Sequence, residues 1–379
     1  MELVTVADLP KEQCTGCWAC LNRCPTNCIS METDQEGFFY PVINTNQCIQ
    51  CSKCVTVCPV LSPVSEPLSW EKPKCYAAWS KNESVRFHST SGGVFTHLAE
   101  AVFAEGGMVA GAQYRKDHLV EHVLIHSSNE LEKLRQSKYV QSEAGYIYRQ
   151  VQAALKSGTP VLFVGTPCQC AALNIFLGQK YDHLYLCDFI CRGVNSPKVY
   201  LAYLKELERT YRSPIKQVWF KNKTHGWNHF CTKILFENGE VYLADRETDP
   251  FMLGYIKRKI SCYMRPSCYQ CSFKGVSRPV DLTLGDFWGI ENLLQDIDVN
   301  KGVSVVIIHS EKGKQLWHTV QNLYTIDNIS LEFVKNHNAC IINSVPTNSN
   351  LYRSMFFSLL DNIGYFKARE LLENKEWSD

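Results

Sequence analysis

From residue 74 onward the chain alternates short apolar runs with longer amphipathic ones. KCYAAWS at 74–80, MVAGAQY at 108–114 and VEHVLIHS at 120–127 predict strands. SEAGYIYRQVQAALKSG sets Ala144, Ile147, Val151, Ala154 and Leu155 on one helical stripe, with Gly158 to stop it. PVLFVGTPCQCAALNIFLG reads as a buried strand, a Gly-Thr-Pro turn and a helix, and HLYLCDFICRGVNSPKVYLAYLKELER repeats the plan. That alternation predicts a mainly parallel sheet flanked by helices. TKILFE and EVYLAD flank Asn238-Gly239, the signal for a hairpin on a type I′ turn. VDLTLGD and GVSVVIIH add strands, and the residues from Asn350 onward read as helical.

The first sixty residues follow neither period. They carry two runs, CTGCWACLNRCP at 14–25 and CIQCSKCVTVCP at 48–59, each spaced Cys-x2-Cys-x2-Cys-x3-Cys-Pro. Three thiolates in seven residues can surround one face of an iron–sulfur cubane, and in two-cluster ferredoxins the fourth cysteine of each run ligates the other cluster. Cys14, Cys17, Cys20 and Cys58 are thus expected to hold one [4Fe-4S] centre, and Cys48, Cys51, Cys54 and Cys24 a second. Zinc commonly uses paired knuckles instead. Residues 8–62 resemble a bacterial dicluster ferredoxin. Cys28 has no place in that scheme and is expected to be a buried structural thiol. LSPVSEPLSWEKP, residues 61–73, is read as a linker.

Lys plus Arg number 39 against 38 for Asp plus Glu, so charge gives no case for nucleic acid. No apolar run is long enough to span a membrane, and the N-terminal residues lack the pattern of a signal peptide. Nineteen cysteines in a chain able to build a real core favour metal thiolates in a reducing, cytoplasmic setting over a disulfide scaffold. A third set lies in the body: Cys168 at a helix start, Cys191 after the next strand, and Cys268 with Cys271 in RPSCYQCSFK. Ligands gather at the carboxyl ends of parallel strands. The set is read first as a third cluster, with a structural zinc or a reactive Cys168 as the alternatives. Cys170, Cys187 and Cys262 are expected in the core.

Single-electron centres commonly need a flavin to reach two-electron chemistry. TSGGVF offers Thr90, Ser91, Gly92 and Gly93 at a helix start, where an anion would be favoured; Ser91 as a plain helix cap is the other reading. No Rossmann or P-loop glycine pattern occurs. His225, His229 and Asp286 lie near aromatic residues and are further pocket candidates.

Taken in order, TSGGVFTHLAE, SKYVQSE, VLFVGTPCQCAAL, CDFICRGVNSPKVY, RPSCYQCSFK and DLTLGDFWGI resemble the coenzyme F420 hydrogenase/dehydrogenase beta-subunit family, in the form with a fused N-terminal dicluster ferredoxin. The resemblance implies an FAD-binding body with its own [4Fe-4S] cluster on Cys168, Cys191, Cys268 and Cys271. It implies a flavin cradle at Ser91, Gly92 and Gly93, and Thr90, Lys138, Tyr139 and Arg192 are further expected cofactor contacts. The family's usual Cys-His-Gly-Val reads Cys191-Arg192-Gly193-Val194 here, and an arginine supplies charge where a histidine supplies a proton. The expected fold class is α+β or α/β: a dicluster ferredoxin domain at 1–65, a mixed α/β body whose parts cover 66–160 and 161–335, and a helical tail at 336–379. The expected function is an iron–sulfur flavoprotein oxidoreductase that exchanges electrons with a donor or acceptor protein, such as a ferredoxin or complex subunit, and with a small two-electron substrate or deazaflavin. Two rivals are a relay subunit holding clusters alone and a zinc scaffold. No catalytic residue is assigned.

Overall fold

The computed structural model describes residues 5–63, 73–257, 261–294, 297–346 and 352–375, so most of the expected linker lies outside the described residues. The N-terminal module folds as a short helix α1 (Ala19–Arg23), a hairpin of β1 (Ile29–Thr33) and β2 (Phe39–Ile43), and a single turn α2 (Lys53–Thr56). The body opens with β3 (Lys74–Ser80), α3 (Glu83–His88), α4 (Val94–Ala104), β4 (Met108–Tyr114), β5 (Val120–Ile125), β6 (Ser142–Glu143), α5 (Ile147–Lys156) and β7 (Val161–Val164). Then come α6 (Pro167–Leu177), β8 (Leu184–Phe189), α7 (Pro197–Tyr211), β9 (Ile215–Asn222), β10 (Cys231–Phe236), β11 (Val241–Asp245) and α8 (Pro250–Ile256). The chain finishes with β12 (Leu282–Asp286), β13 (Ser304–Ile308), α9 (Glu311–Val320), β14 (Tyr324–Ile329), α10 (Leu331–His337), α11 (Arg353–Ile363) and α12 (Tyr365–Lys375).

Nine strands form one sheet in the order β14-β3-β13-β12-β8-β7-β4-β5-β6. Its centre, β12-β8-β7-β4, is parallel, as the strand–helix alternation predicts. The sheet is not mainly parallel, however: β14, β3, β13 and β12 pair antiparallel, and β5 turns back antiparallel on β4. The pairings of β3 with β13 and β14 join positions 226 to 254 residues apart, which local alternation does not encode. Period-two side chains sort the two faces. Val161 and Phe163 belong to a core shared with α5 and α6, whereas Leu162 packs with residues of α4 and α9. A second, three-stranded sheet, β11-β10-β9, shares its core with α7, α8 and the tail helices.

The β10–β11 turn departs from the expected type I′. Only Gly239 has positive φ (+87°), and its N–H donates to the Phe236 carbonyl. Residues 237 and 238 make an ordinary turn with a glycine bulge after it, because the loop is longer than two residues.

The N-terminal module is locked onto the body. Cys14, Cys17, Cys20 and Cys58 share one continuous core with α5 and α6. The Tyr148 hydroxyl donates to the Cys17 carbonyl at 2.7 Å. Arg149 donates to the carbonyls of Asn22 (2.7 Å) and Cys24 (3.1 Å). Fully buried Arg265 donates to the Cys14 carbonyl at 2.8 Å, the Phe39 carbonyl at 3.0 Å and Gln141 Oε1 at 3.0 Å.

Candidate functional site: three thiol groups and a cavity

The first thiol group owes its shape to two left-handed residues, Gly16 (φ +61°) and Trp18 (φ +69°), which turn the chain sharply into α1. At Gly16 a Cβ would meet Gln141 Nε2 at 2.4 Å and Arg265 Nη1 at 2.7 Å, so the body packs against bare backbone here. Cys14, Cys17, Cys20 and Cys58 line one small cavity. Burial first, then the neighbouring Cys58 and Cys14, push the Cys17 thiol up to about 12. Burial and the same neighbours hold Cys20 well above its ordinary value. Four thiolates crowded in this way need a multivalent cationic centre, and an iron–sulfur cluster meets that need.

Cys24, Cys48, Cys51 and Cys54 line a separate cavity, which puts the fourth cysteine of each run beside the first three of the other. Cys51 is exposed and Cys48 and Cys54 are half-buried, so this group lies at the surface while the Cys14 group is covered. Cys28 is buried, as expected. It lines this same cavity, with its sulfur 3.4 Å from that of Cys24. The turn that starts β1 folds Cys28 back beside Cys24, and the spacing of four residues alone does not reveal it.

The third group is assembled by the parallel strands. β7 and β8 are neighbours, so the loops leaving their carboxyl ends place Cys168 and Cys191 together. Thr166 starts α6 with a reciprocal cap: its hydroxyl accepts from the Gln169 N–H, and Gln169 Oε1 accepts from the Thr166 N–H at 3.0 Å. Its hydroxyl also lies 3.1 Å from Cys168 Sγ. Cys268 and Cys271 enter from the short turn Pro266–Gln270, which passes close to Gly193. All four thiols line one cavity whose wall also includes Thr15 and Gly16 of the first group's loop. Burial leads the rise of Cys168, which lies well above its ordinary value, of Cys191, which reaches about 12, and of Cys268, which reaches about 11. Among the described residues, no three His, Cys, Asp or Glu side chains converge closely enough to hold a single metal ion. Cys170, Cys187 and Cys262 are fully buried in the core.

Beyond the Cys168 group opens a cavity of about 580 Å³, within the range that holds a nucleotide-sized ligand. Ser142, Thr166, Gln169 and the run 191–194 line both this cavity and the smaller thiol cavity, so a single wall separates them. Thr90, Ser91, Gly93, Lys138, Tyr139 and Arg192 all line the large cavity. Gly93 (φ +93°) is the N-cap of α4, so the plain reading of Ser91 as that cap fails; the Ser91 hydroxyl donates instead to the Val303 carbonyl at 2.5 Å. Gly92 does not face the cavity. Its N–H donates to Ser304 Oγ at 2.8 Å, and a Cβ there would lie 2.2 Å from the Ala78 carbonyl oxygen. Gly92→Ala is expected to cost about 1–3 kcal/mol by overpacking against backbone that cannot yield. Urea unfolding measures it, and unchanged stability would refute the close approach.

Lys138 and Arg192 are more constrained than free charges. Lys138 Nζ donates to the carbonyls of Leu134, Arg135 and Gln136, and burial lowers its pKa to about 7. Arg192 Nε and Nη2 donate to the carbonyls of Tyr255 (3.0 Å) and Ile256 (2.8 Å), closing the end of α8. Tyr139 packs its ring on Tyr255 and Phe220. Asp286 lines the cavity and pairs with buried Lys221, while His225 and His229 are not among its lining residues; His225 faces Cys231. Sequence reasoning missed Lys223, whose buried ammonium donates to the carbonyls of Arg86, Ser91 and Lys301 and clamps the loop before α4. It also missed Trp288, stacked on Trp227 at 4.5 Å and facing the cavity. The wall carries polar atoms without hydrogen-bond partners, among them Arg135 Nε and Gln136 Oε1. A buried wall with polar atoms left over is what a polar ligand such as FAD would satisfy, so the residues present fit that group.

Comparison with known proteins identifies the parts of the chain. The 4Fe-4S dicluster domain matches residues 13–61. The N-terminal part of the coenzyme F420 hydrogenase/dehydrogenase beta subunit matches 75–147, and its C-terminal part 158–330. Curated proteins give no match. Among solved structures, a chain of the xenon-derivatized F420-reducing [NiFe] hydrogenase complex from Methanosarcina barkeri aligns at 17% identity and TM-score 0.49, over 73% of this chain and 91% of that one. With both parts of the beta subunit following the dicluster domain in order, the chain belongs to the coenzyme F420 hydrogenase/dehydrogenase beta-subunit family and is an iron–sulfur redox protein.

Proposed function

We propose that this chain is an iron–sulfur flavoprotein oxidoreductase in which three [4Fe-4S] sites lead from the surface to an FAD cavity. The observation that carries the reading is the wall shared by neighbouring sites: Thr15 and Gly16 join the first thiol group to the third, and residues 191–194 join the third to the large cavity. In this reading Cys24, Cys48, Cys51 and Cys54 hold the outer cluster. Cys14, Cys17, Cys20 and Cys58 hold the inner one, and Cys168, Cys191, Cys268 and Cys271 the third. The N-terminus of α4 with Thr90, Ser91 and Gly93 would hold the anionic part of FAD, helped by the positive field of Lys138 and Arg192. When bound, FAD supplies the conversion between single electrons and electron pairs. Tyr139, Tyr255 and Trp288 would narrow the cavity and exclude water around a small organic substrate. Among the described residues no helix is long and apolar enough to cross a membrane.

The exposed outer group is the natural contact for a redox partner protein. Ile49, 65% exposed beside Cys48 and Cys51, is an apolar anchor for that contact. Ile49→Glu is expected to slow flavin bleaching by a reduced ferredoxin about tenfold, the equivalent of ~1.4 kcal/mol of docking energy. Reduction by dithionite, which needs no docking surface, should be unchanged. Equal rates with ferredoxin in both proteins would remove the outer group as the entry point.

A further inference from the structure

Cys28 is the one cysteine of the N-terminal module that the cluster scheme leaves without work. Its sulfur lies 3.4 Å from Cys24 Sγ, and both thiols are buried at 6% exposure. The Thr26 hydroxyl lies 3.6 Å from the same Cys24 sulfur. Position 28 is held there by backbone: the Cys28 carbonyl accepts from the Asn44 N–H at 2.8 Å, and the next residue begins β1, paired with β2. The thiol is thus fixed against a ligand sulfur at the cavity wall. With Cys24 bound as a thiolate, the sulfur can only accept, and an S–H and an O–H are the donors facing it.

We propose that Cys28 is a positioning residue for the outer cluster: its thiol donates a hydrogen bond to the Cys24 sulfur and thereby raises that cluster's reduction potential. Hydrogen bonds to cluster sulfurs withdraw electron density and favour the reduced form, and solvent exposure and net charge are the other levers. Donors on Cys24 give the chain a means of setting the outer cluster apart from the inner one. A more positive outer cluster retains an electron close to the surface, where the partner protein would dock.

The test is an EPR-monitored redox titration of the full chain, purified without oxygen, as the parent, Cys28→Ala and Cys28→Ser. Iron is counted for each. The expected result is unchanged iron in both variants. In Cys28→Ala the midpoint of one cluster falls by about tenfold in its one-electron equilibrium, ~59 mV. Cys28→Ser, which keeps an O–H donor, retains most of the parent value. The affected cluster should be the one whose g-values change in Cys51→Ser. Unchanged midpoints in Cys28→Ala would overturn the proposal. So would loss of about four irons, which would make Cys28 a ligand rather than a donor, or an equal shift in the alanine and serine variants. The readout is confined to the N-terminal clusters, so it succeeds or fails whether or not the body binds flavin.

Discussion

Replacing Cys168 by alanine is expected to remove about four of twelve irons per chain and to leave the two ferredoxin-type clusters intact. Cys168 lines the third thiol cavity with Cys191, Cys268 and Cys271, while the other eight ligands line two cavities of their own. The lost sulfur leaves three thiols in a site that burial already disfavours for charge. α6 itself should persist, because Thr166 and Gln169 cap it independently of the thiol. The functional loss should be larger than the structural one. With the middle site empty, delivery of electrons from the outer clusters to the cavity is expected to fall by two orders of magnitude or more, while FAD still binds. Iron analysis and stopped-flow reduction by ferredoxin measure the two effects. Twelve irons retained in Cys168→Ala, or undiminished delivery, would remove the third cluster from the pathway. Cys170→Ala provides the control, since that thiol packs in the core and does not line the third cavity.

Arg265→Met is expected to destabilise the folded chain by on the order of 3–5 kcal/mol, because three buried acceptors lose a charged donor at once. Those acceptors, Cys14 O, Phe39 O and Gln141 Oε1, belong to both sides of the junction between module and body. The guanidinium also lies over the Tyr40 ring at 4.3 Å. No carboxylate is paired with it in the described contacts. It sits instead between Cys14 and Cys268, members of the two inner thiol groups. Its charge therefore favours electrons on both, and the variant's inner and third clusters should show lower reduction potentials. Arg265→Lys should keep part of the potential while losing most of the three-point anchoring to Cys14, Phe39 and Gln141. Denaturant unfolding and redox titration separate the two contributions. A stable Met variant with unshifted potentials would refute both roles.

Much of the site was legible because its chemistry follows spacing and strand order. The doubled run, read through the two-cluster ferredoxin arrangement, groups its eight thiols with Cys24 and Cys58 crossed, and the two cavities are lined in the same grouping. Cys168 and Cys191 could be placed together because adjacent parallel strands bring their exit loops side by side. What escaped depends on folding at long range. Cys28 meets Cys24 only once β1 pairs with β2. Lys223 reaches the Ser91 carbonyl from a different sheet. Gly92 looked like part of a phosphate cradle, yet its missing side chain makes room for Ala78. The antiparallel pairings of β3 with β13 and β14 likewise join the ends of the body, beyond any local pattern.

The cavity behind the Cys168 group is the proposed flavin site, and conversion between single electrons and electron pairs in this chain depends on it. The direct measurement is to purify the full chain without oxygen, denature it, and quantify released flavin against protein and iron. The expected result is about one FAD per chain with about twelve irons. A chain that keeps its iron, releases no flavin and takes none up when FAD is added would contradict the account and make this protein an electron relay for a partner that carries the chemistry.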